Sequence, residues 1–453
     1  MTAATWRFPA AFWIANLIEL LERAAYYGTF IALSLYLTSV VGFTDVGAGY
    51  VAGLFAAGLY LLPFFSGAAA DRMGFRRALL LAFALLGLGY AGLGVLPRKG
   101  PVVVSLLLIM LGGAFVKPVI TGTVARSSNE RSRARAYSLF YMMVNIGSFL
   151  GKALARPVRV RLGLDYIPLY SSAAALLALV LVLLCYFPRE VAVAEQRKSV
   201  RAVVGDIQTV LRDRRFLSLI LLTAAFWAIQ GQLYASMPKY VLRLVGEHAS
   251  PEWYANINPL TVVVLVVPIT HLARRFAPIA SIAVSLALIP LSALTVAVLP
   301  GMLGGPVRLA GITLHQVAFA MMVGIALQGL AECFLSPRYY EFASQKAPPG
   351  QEGLYLGYAQ LNSFFAWLLG FILSGYLLDA FCPDPRTLSE AERAAHALAL
   401  AGRGPMPAAY AHASYIWLTF AAMGAVAFVL LLLFQASSRP RGRDGTPIDP
   451  KGA

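Results

Sequence analysis

The chain has 453 residues, of which 59% are hydrophobic and only 13% are charged, and its formal net charge is +16. Because about a quarter of the residues in soluble domains are charged, this composition excludes a soluble globular protein and indicates an integral membrane protein. Nucleic-acid-binding proteins carry their basic residues on solvated faces. Here these residues fall in short loops between long apolar runs, which excludes nucleic acid as a partner.

Twelve apolar stretches are long enough to cross a hydrocarbon core of about 30 Å as helices. Lys and Arg are more frequent in the loops on the side that would hold both termini, and the positive-inside rule places that side in the cytoplasm. The sequence therefore predicts an all-α membrane protein with twelve transmembrane helices. The predicted spans are 9–39, 47–70, 77–97, 101–125, 136–156, 167–188, 217–243, 254–272, 278–299, 309–334, 354–380 and 412–435.

The longest polar interruption on the cytoplasmic side divides these spans into six and six. Two helix bundles joined by a basic linker are typical of transporters. We therefore expect an N-terminal six-helix bundle over 1–188, a cytoplasmic linker over 189–216 and a C-terminal six-helix bundle over 217–436. Residues 437–453 are expected to form a disordered basic cytoplasmic tail.

A second long loop separates spans 11 and 12. Ser389 and Glu392 in this loop have the spacing of a capping box, which predicts a short helix that runs to about Gly402. The favoured interpretation is a connecting surface helix. The alternative is a lid over an outward-facing cavity.

Span 1 contains three ionisable residues near the expected centre of the bilayer, Glu19, Glu22 and Arg23. Each costs at least about 2.5 kcal/mol at that depth, so they require mutual pairing and a water-filled cavity, with a purely structural ion cluster as the alternative. Spacings of three and four residues define the face that should look into the bundle. This face comprises Glu19, Glu22, Arg23, Tyr26, Tyr27 and Phe30, and the opposite face comprises Leu20, Leu21, Ala24, Ala25 and Gly28.

Two later spans each contain one ionisable residue at a comparable depth, Lys117 and Glu332. Both lie near a proline, Pro118 or Pro337, which weakens the helical hydrogen bonding and favours the bent or broken helices found around transported ligands. For Lys117 the alternative is an ammonium group that snorkels to the cytoplasmic interface.

The predicted interior therefore contains three carboxylates and two cations. A surplus carboxylate that exchanges its cationic partner can load and release a proton. Acids and bases on facing helices also suit a zwitterion with an amine at one end and a carboxylate at the other.

Several motifs resemble those of the proton-dependent oligopeptide transporters, a branch of the major facilitator superfamily, and they follow the family's order along nearly the whole chain. The first-helix signature is represented by Glu19, Glu22, Arg23, Tyr26, Tyr27 and Gly28, and the span-5 signature by Phe140, Tyr141, Asn145, Gly147 and Ser148. The Lys-Pro, Asn-Pro and acidic Ser-Pro elements are represented by Lys117-Pro118, Asn258-Pro259 and Glu332 with Ser336-Pro337. The superfamily gating loop is represented by Gly67, Asp71, Arg72, Gly74, Arg76 and Arg77.

This resemblance implies the superfamily fold, with two six-helix bundles around a central substrate site. By position, Arg23 and Lys117 would face the carboxylate of a peptide. Asn145, Asn258 and Glu332 would face its amine and backbone. The alternative for both asparagines is inter-helix hydrogen bonding.

The resemblance further implies that proton coupling involves Glu19, Glu22, Arg23 and Glu332. Tyr26 and Tyr27 would line the cavity, although aromatic packing against a neighbouring helix is an alternative. Gly147 and Ser148 are expected to be close-packing positions rather than substrate contacts.

Three features depart from the family pattern. Phe30 stands where the family commonly has a second arginine, which removes a cation from the expected carboxylate pocket. Gly231 stands where span 7 typically has an acidic residue, so the usual partner of Lys117 is missing. The linker lacks the pair of extra helices that many bacterial members insert.

The expected function is proton-coupled symport of di- and tripeptides by alternating access. The alternative is transport of a non-peptide solute such as a drug-like molecule, nitrate or an amino-acid conjugate, which Phe30 and Gly231 favour. An enzyme is not expected, because the five histidines form no HExxH motif or visible cluster and the three cysteines lie far apart. A receptor or scaffold is a further alternative.

The expected partners are therefore small peptides, protons and the lipid bilayer, without a cofactor or metal. We expect a monomer in a bacterial inner membrane with both termini in the cytoplasm.

Overall fold

A computed structural model of the protein describes residues 8–129, 132–188, 205, 208, 212–273, 275–309, 311–346, 355 and 357–438. The N-terminal helices are α1 (Ala10–Ser39), α2 (Asp45–Leu61), α3 (Pro63–Met73), α4 (Phe75–Val95), α5 (Lys99–Arg126), α6 (Arg133–Arg161) and α7 (Tyr166–Cys185). The C-terminal elements are α8 (Arg214–Gln230), α9 (Gln232–Ala235), α10 (Met237–Val245), α11 (Pro251–Tyr254), α12 (Ile257–Ala273), α13 (Pro278–Leu303), β1 (Val307–Leu309), β2 (Ile312–Leu314), α14 (Gln316–Lys346), α15 (Leu361–Phe381), α16 (Glu390–Leu400) and α17 (Tyr415–Ser438).

Eleven helical segments of the described chain are long and apolar enough to cross a membrane. α1 is not one of them, although its 30 residues correspond to a length of about 45 Å. The three charged residues of α1, Glu19, Glu22 and Arg23, lower its hydropathy. With α1, the described residues form twelve helical segments that correspond to the predicted spans, and the prediction of an all-α membrane protein is confirmed.

Spans 2, 7 and 8 contain interrupted helices, and in span 8 the short α11 is separated from α12 by Ala255 and Asn256. Span 2 consists of α2 and α3, which meet at Leu62, and Pro63 begins α3 because the first turn of a helix needs no amide hydrogen. Span 7 consists of α8, α9 and α10, which are separated at Gly231 and at Ser236. All three of these spans contribute residues to the wall of the cavity between the bundles.

The predicted start of span 10 at residue 309 is wrong. Residues Val307–Leu309 and Ile312–Leu314 pair as an antiparallel hairpin, and the helix begins only at Gln316. Gly311 adopts a φ of 80° in the turn, which glycine tolerates without strain. A short apolar run cannot be assigned to strand or helix by periodicity alone, which explains the error.

The predicted linker and tail lie largely outside the described residues. Within 189–216 the structure describes 205, 208 and 212–216, and within 437–453 it describes the backbone of 437 and 438.

The capping-box prediction in the last long loop is confirmed. The Ser389 side chain accepts from the backbone of Glu392, and the Glu392 side chain accepts from the backbone of Ser389, which begins α16. The helix is held against the C-terminal half by His396, whose Nε2 lies 2.7 Å from the carbonyl oxygen of Arg243.

Buried ion pairs join the two bundles at the end of the molecule where α1 ends and α2 begins, which we call the outer end. Asp45 of α2 accepts from Lys239 Nζ at 2.8 Å and from Arg243 Nη1 at 2.8 Å, both from α10. Arg159 of α6 pairs with Glu252 of α11 at 2.5 Å. All five side chains are less than 9% exposed, so these contacts hold the bundles together at the outer end.

α2 and α15 pack closely beside these ion pairs. A Cβ atom at Gly49 would lie 2.6 Å from the carbonyl oxygen of Phe371, and one at Gly375 would lie 2.6 Å from that of Asp45. Glycine at both positions allows the backbones of the two bundles to touch, which closes the outer end further.

Candidate substrate-binding cavity

A cavity of about 390 Å³ lies between the two bundles, and both contribute to its wall. On α1 its lining ends at Phe30, below the contacts of the outer end. Its charged lining residues are Glu22, Arg23, Lys117, Lys152 and Glu332. Its polar and aromatic lining residues include Tyr26, Tyr27, Tyr60, Tyr141, Asn145, Ser148, Trp227, Gln230, Tyr234, Asn258, Tyr340, Gln360, Ser363 and Trp367.

α1 presents the predicted face to this cavity, except that Glu19 pairs with a lining residue without lining the wall itself. The opposite face packs on α6 and α7. Ser171 Oγ of α7 donates to the carbonyl oxygen of Ala25 at 2.8 Å, and a Cβ atom at Gly28 would overlap the Tyr170 hydroxyl. The helical period of the sequence thus accounts for both faces of α1.

Arg23 holds two carboxylates. Its Nε donates to Glu22 Oε2 and lies 3.2 Å from Glu19 Oε1, and its guanidinium carbon lies 5.5 Å from the centre of the Tyr26 ring. Within the described part of the chain, Glu19 Oε2 is buried and has no hydrogen-bond donor. One guanidinium therefore serves two buried carboxylates, and one carboxylate oxygen has room for a proton.

Glu332 of α14 is held by two neutral amide groups. Gln230 Nε2 of α8 donates to Glu332 Oε2 at 2.6 Å, and Asn258 Nδ2 of α12 donates to the same oxygen at 3.4 Å. Asn258 thus makes an inter-helix hydrogen bond and also lines the cavity. Gln230 was not among the predicted site residues, although its position directly before Gly231, where the family typically has an acidic residue, was a usable signal.

The span-5 signature lies on one face of α6. Asn145 Nδ2 donates to the carbonyl oxygen of Tyr141 in its own helix at 2.8 Å, so the alternative of an inter-helix bond does not apply to this residue. Gly147 is a close-packing position, because its Cβ atom would lie 2.5 Å from the carbonyl oxygen of Leu20. Ser148 lines the cavity instead, so its prediction as a packing residue is wrong.

Lys152 of α6 is a third cation on the cavity wall and was not among the predicted site residues. Its side chain is 1% exposed, and its Nζ lies 3.4 Å from the carbonyl oxygen of Ala255 and 5.5 Å from the centre of the Tyr27 ring. The premise of a surplus carboxylate is therefore wrong. Glu19, Glu22 and Glu332 are balanced by Arg23, Lys117 and Lys152.

Phe30 takes part in an aromatic cluster on the outer side of the cavity. Its ring centre lies 5.1 Å from that of Tyr26, 4.9 Å from that of Tyr234 and 5.4 Å from that of Trp367. These rings come from both bundles. They form an apolar wall where the family resemblance implies an arginine.

The sequence profile of the Major Facilitator Superfamily matches residues 15–313, which is well over half of the chain. The chain belongs to the Major Facilitator Superfamily. Proteins of this superfamily are membrane transporters, and the twelve spans and the central cavity are those of such a transporter.

The solved structures with this fold include peptide transporters of the proton-dependent oligopeptide transporter (POT) family. A POT peptide transporter in complex with sulfate is 19% identical, with a TM-score of 0.69, and the match covers 94% of each chain. A POT family transporter in complex with 5-aminolevulinic acid is 17% identical, with a TM-score of 0.71, over 95% of this chain and 96% of that one. By sequence, the multidrug resistance protein MdtH of Photorhabdus laumondii is 23% identical over 80% of this chain and 85% of its own length.

The superfamily loop lies between α3 and α4, away from the cavity wall. Gly74 adopts a φ of 84° between these helices, Asp71 pairs with Arg126 at 3.3 Å, and Arg76 Nη2 donates to the carbonyl oxygen of Leu183 at 2.9 Å. Of the predicted gating residues, Gly67, Asp71, Arg72, Gly74, Arg76 and Arg77, none lines the cavity.

Proposed function

We propose that this transporter is a proton-coupled symporter of di- and tripeptides that works by alternating access. The observation that supports this best is the division of charge across the cavity. Arg23 and Lys117 lie in the N-terminal bundle, and Glu332, held by amide donors, lies in the C-terminal bundle. A peptide zwitterion bound between them would bridge the two bundles, with its carboxylate at the cations and its amine at Glu332.

The size of the cavity fits this substrate class. Small-molecule sites occupy about 300–1,000 Å³, and this cavity is about 390 Å³. Asn145 and Asn258 supply amide groups for the peptide backbone, and Tyr26 and Tyr27 line the wall beside them. The POT structures with the same fold support a peptide substrate by analogy.

Proton coupling is assigned to Glu19, Glu22 and Arg23, with Glu332 as the acid that meets the amine. A proton on Glu22 or Glu19 would free Arg23 from one carboxylate, so that the guanidinium could receive the carboxylate of the peptide. Proton binding and substrate binding are then linked through one shared cation.

The contacts between the two bundles at the outer end support a state in which the cavity is closed on that side. By the positive-inside rule we propose that both termini are cytoplasmic. The protein would be a monomer in a bacterial inner membrane. Its two bundles would span 1–188 and 217–436, joined by a linker over 189–216 and followed by a cytoplasmic tail over 437–453. Peptide would be released to the cytoplasm from this state, and the bundles would rock apart at the outer end to reload.

The experiment is uptake of a radiolabelled dipeptide into proteoliposomes with and without an inward proton gradient. We expect accumulation above equilibrium only with the gradient, weak competition by C-amidated and N-acetylated dipeptides, and loss of uptake in Arg23→Ala and Lys117→Ala. Equal uptake with and without the proton gradient would refute proton coupling. Equal competition by free dipeptides and by C-amidated or N-acetylated ones would refute the proposed binding site.

A second candidate function is transport of an amphiphilic non-peptide solute. The aromatic cluster of Phe30, Tyr234 and Trp367 favours it, since such a wall suits apolar rings. The likeness to a multidrug resistance protein points the same way. Uptake of a labelled lipophilic cation, with unlabelled lipophilic cations and small peptides as competitors, separates the two, because a drug transporter would take up the labelled cation and be inhibited by other lipophilic cations but not by peptides.

A further inference from the structure

Lys152 stands apart from the cavity residues that the proposed function uses. It continues a stripe along α6 that begins with Tyr141, Asn145 and Ser148, and these spacings of three and four residues place all four side chains on one helical face. Lys152 lies two turns, about 10 Å, beyond Asn145 toward the outer end. It therefore reaches a different part of the cavity from the span-5 signature.

The ammonium group of Lys152 is buried without a carboxylate in contact. The ion pairs that the described residues form at the cavity all belong to Arg23, and the polar contact of Lys152 is a carbonyl oxygen at the long distance of 3.4 Å. The carboxylate of Glu332, on the same cavity wall, acts on this ammonium group through space without touching it, and a buried cation that lacks a direct anionic contact is costly, the more so once the amine of a substrate occupies Glu332. The position is therefore poised to receive a negative group.

The charge balance of the cavity indicates that this negative group belongs to the substrate. Three carboxylates and three cations leave the empty site neutral when all are ionised. One proton and a zwitterionic peptide would bring the loaded site to +1, whereas one proton and a peptide of net charge −1 would leave it neutral. An uncompensated charge is disfavoured at this depth in a membrane.

We propose that Lys152 binds a second anionic group of the substrate, so that the preferred substrates are small peptides with one acidic side chain. This inference rests on the proposed peptide transport. Lys117 and Arg23 would receive the terminal carboxylate, Glu332 the amine and Lys152 the side-chain carboxylate. Lys152 is then the specificity-determining residue.

The test uses the full-length protein in proteoliposomes at about pH 7, where a glutamate side chain is ionised. Unlabelled alanyl-glutamate and glutamyl-alanine compete with a labelled dipeptide, and alanyl-glutamine and glutaminyl-alanine are their uncharged isosteres. We expect at least one acidic peptide to compete about tenfold better than its isostere, which corresponds to about 1.4 kcal/mol. This comparison needs only the wild-type protein.

Variants then assign the preference to Lys152. Lys152→Gln should abolish it and Lys152→Arg should keep it. The matched control is Lys99→Gln, at an exposed lysine on the outer end outside the cavity, which should also keep it. A gel-filtration profile and an unfolding temperature like those of the wild type show that Lys152→Gln is folded.

The outcomes separate this inference from the proposed function. If peptides compete but acidic and amide isosteres compete equally, Lys152 does not select charge and the inference is wrong, while peptide transport stands. If the preference survives in Lys152→Gln, another group binds the acid. If no peptide of any charge competes, the proposed function itself fails.

Discussion

The buried ion cluster at the outer end gives the sharpest test of alternating access. Asp45 accepts from Lys239 at 2.8 Å and from Arg243 at 2.8 and 3.0 Å, and these side chains are 1%, 1% and 6% exposed. Asp45→Asn removes this carboxylate and leaves Lys239 and Arg243 buried. The remaining carboxylate near them is that of Asp384, which lies 3.6 Å from Arg243. Loss of one partner of a buried pair costs about 3–5 kcal/mol.

This cost falls on the outward-closed state, because the cluster joins α2 to α10 across the two bundles. The ratio of outward-closed to outward-open molecules should therefore fall by about a hundredfold to a few thousandfold. We expect the lower part of this range, since Asp384 partly neutralises Arg243. Uptake should slow, because the variant would spend most of its time open to the outside.

The assay is the distance distribution between spin labels at Lys99 and Arg403, two exposed positions at the outer end in opposite bundles. The exposed Cys185 is replaced first, while Cys333 and Cys382 are buried. Asp45→Asn should add a longer distance that the wild type lacks. The matched control is Glu247→Gln, which also removes an ion pair across the bundles, but with a carboxylate that is 82% exposed and should contribute at most about 1 kcal/mol. Identical distributions in all three proteins would refute the role of the cluster.

Three further predictions concern other parts of the molecule. Glu22→Gln should abolish gradient-driven uptake but preserve peptide counterflow measured in the same vesicles, and if both this variant and Glu19→Gln still concentrate peptide, the proton site is not on α1. Glu332→Gln should raise the inhibition constant of free dipeptides toward that of N-acetylated ones. If the ratio of the two inhibition constants is the same as in the wild type, Glu332 does not bind the amine. Ser389→Ala removes the N-cap of α16 and should destabilise that helix by about 1 kcal/mol. Hydrogen exchange over Glu390–Leu400 should become faster in this variant and stay normal in Ser389→Asp. Unchanged exchange in Ser389→Ala would show that packing alone holds the helix.

Local sequence signals were sufficient where the structure follows a local rule. The 3.6-residue period predicted which side of α1 faces the cavity, and the spacing of Ser389 and Glu392 predicted the start of α16. Both features depend on residues within one or two turns of the same helix. No knowledge of the tertiary structure was needed for either.

Lys152 escaped prediction because its depth depends on a distant partner. The predicted span 5 ends at residue 156, which places Lys152 near the membrane surface. α6 continues to Arg161 because Arg159 is neutralised by Glu252 from the other bundle. The contact of Gln230 with Glu332 likewise joins residues 102 positions apart, and no periodicity within one helix can report it.

Phe30 on α1 and Lys152 on α6 both change the distribution of cations around the cavity. Phe30 removes from α1 the second cation that the family resemblance implies, so that Arg23 makes the ion pairs to Glu19 and Glu22 while Lys117 acts on them through space. Lys152 restores the cation on α6, in contact with the Tyr27 ring rather than with the α1 carboxylates. We infer that this relocation separates two tasks. A single guanidinium between two carboxylates leaves one negative charge for a proton, whereas a lysine without a carboxylate in contact remains available to the substrate. Restoring an arginine by Phe30→Arg should therefore weaken proton coupling more than peptide binding, because a further cation on the cavity wall disfavours a proton on the α1 carboxylates through space while it leaves Lys152 available.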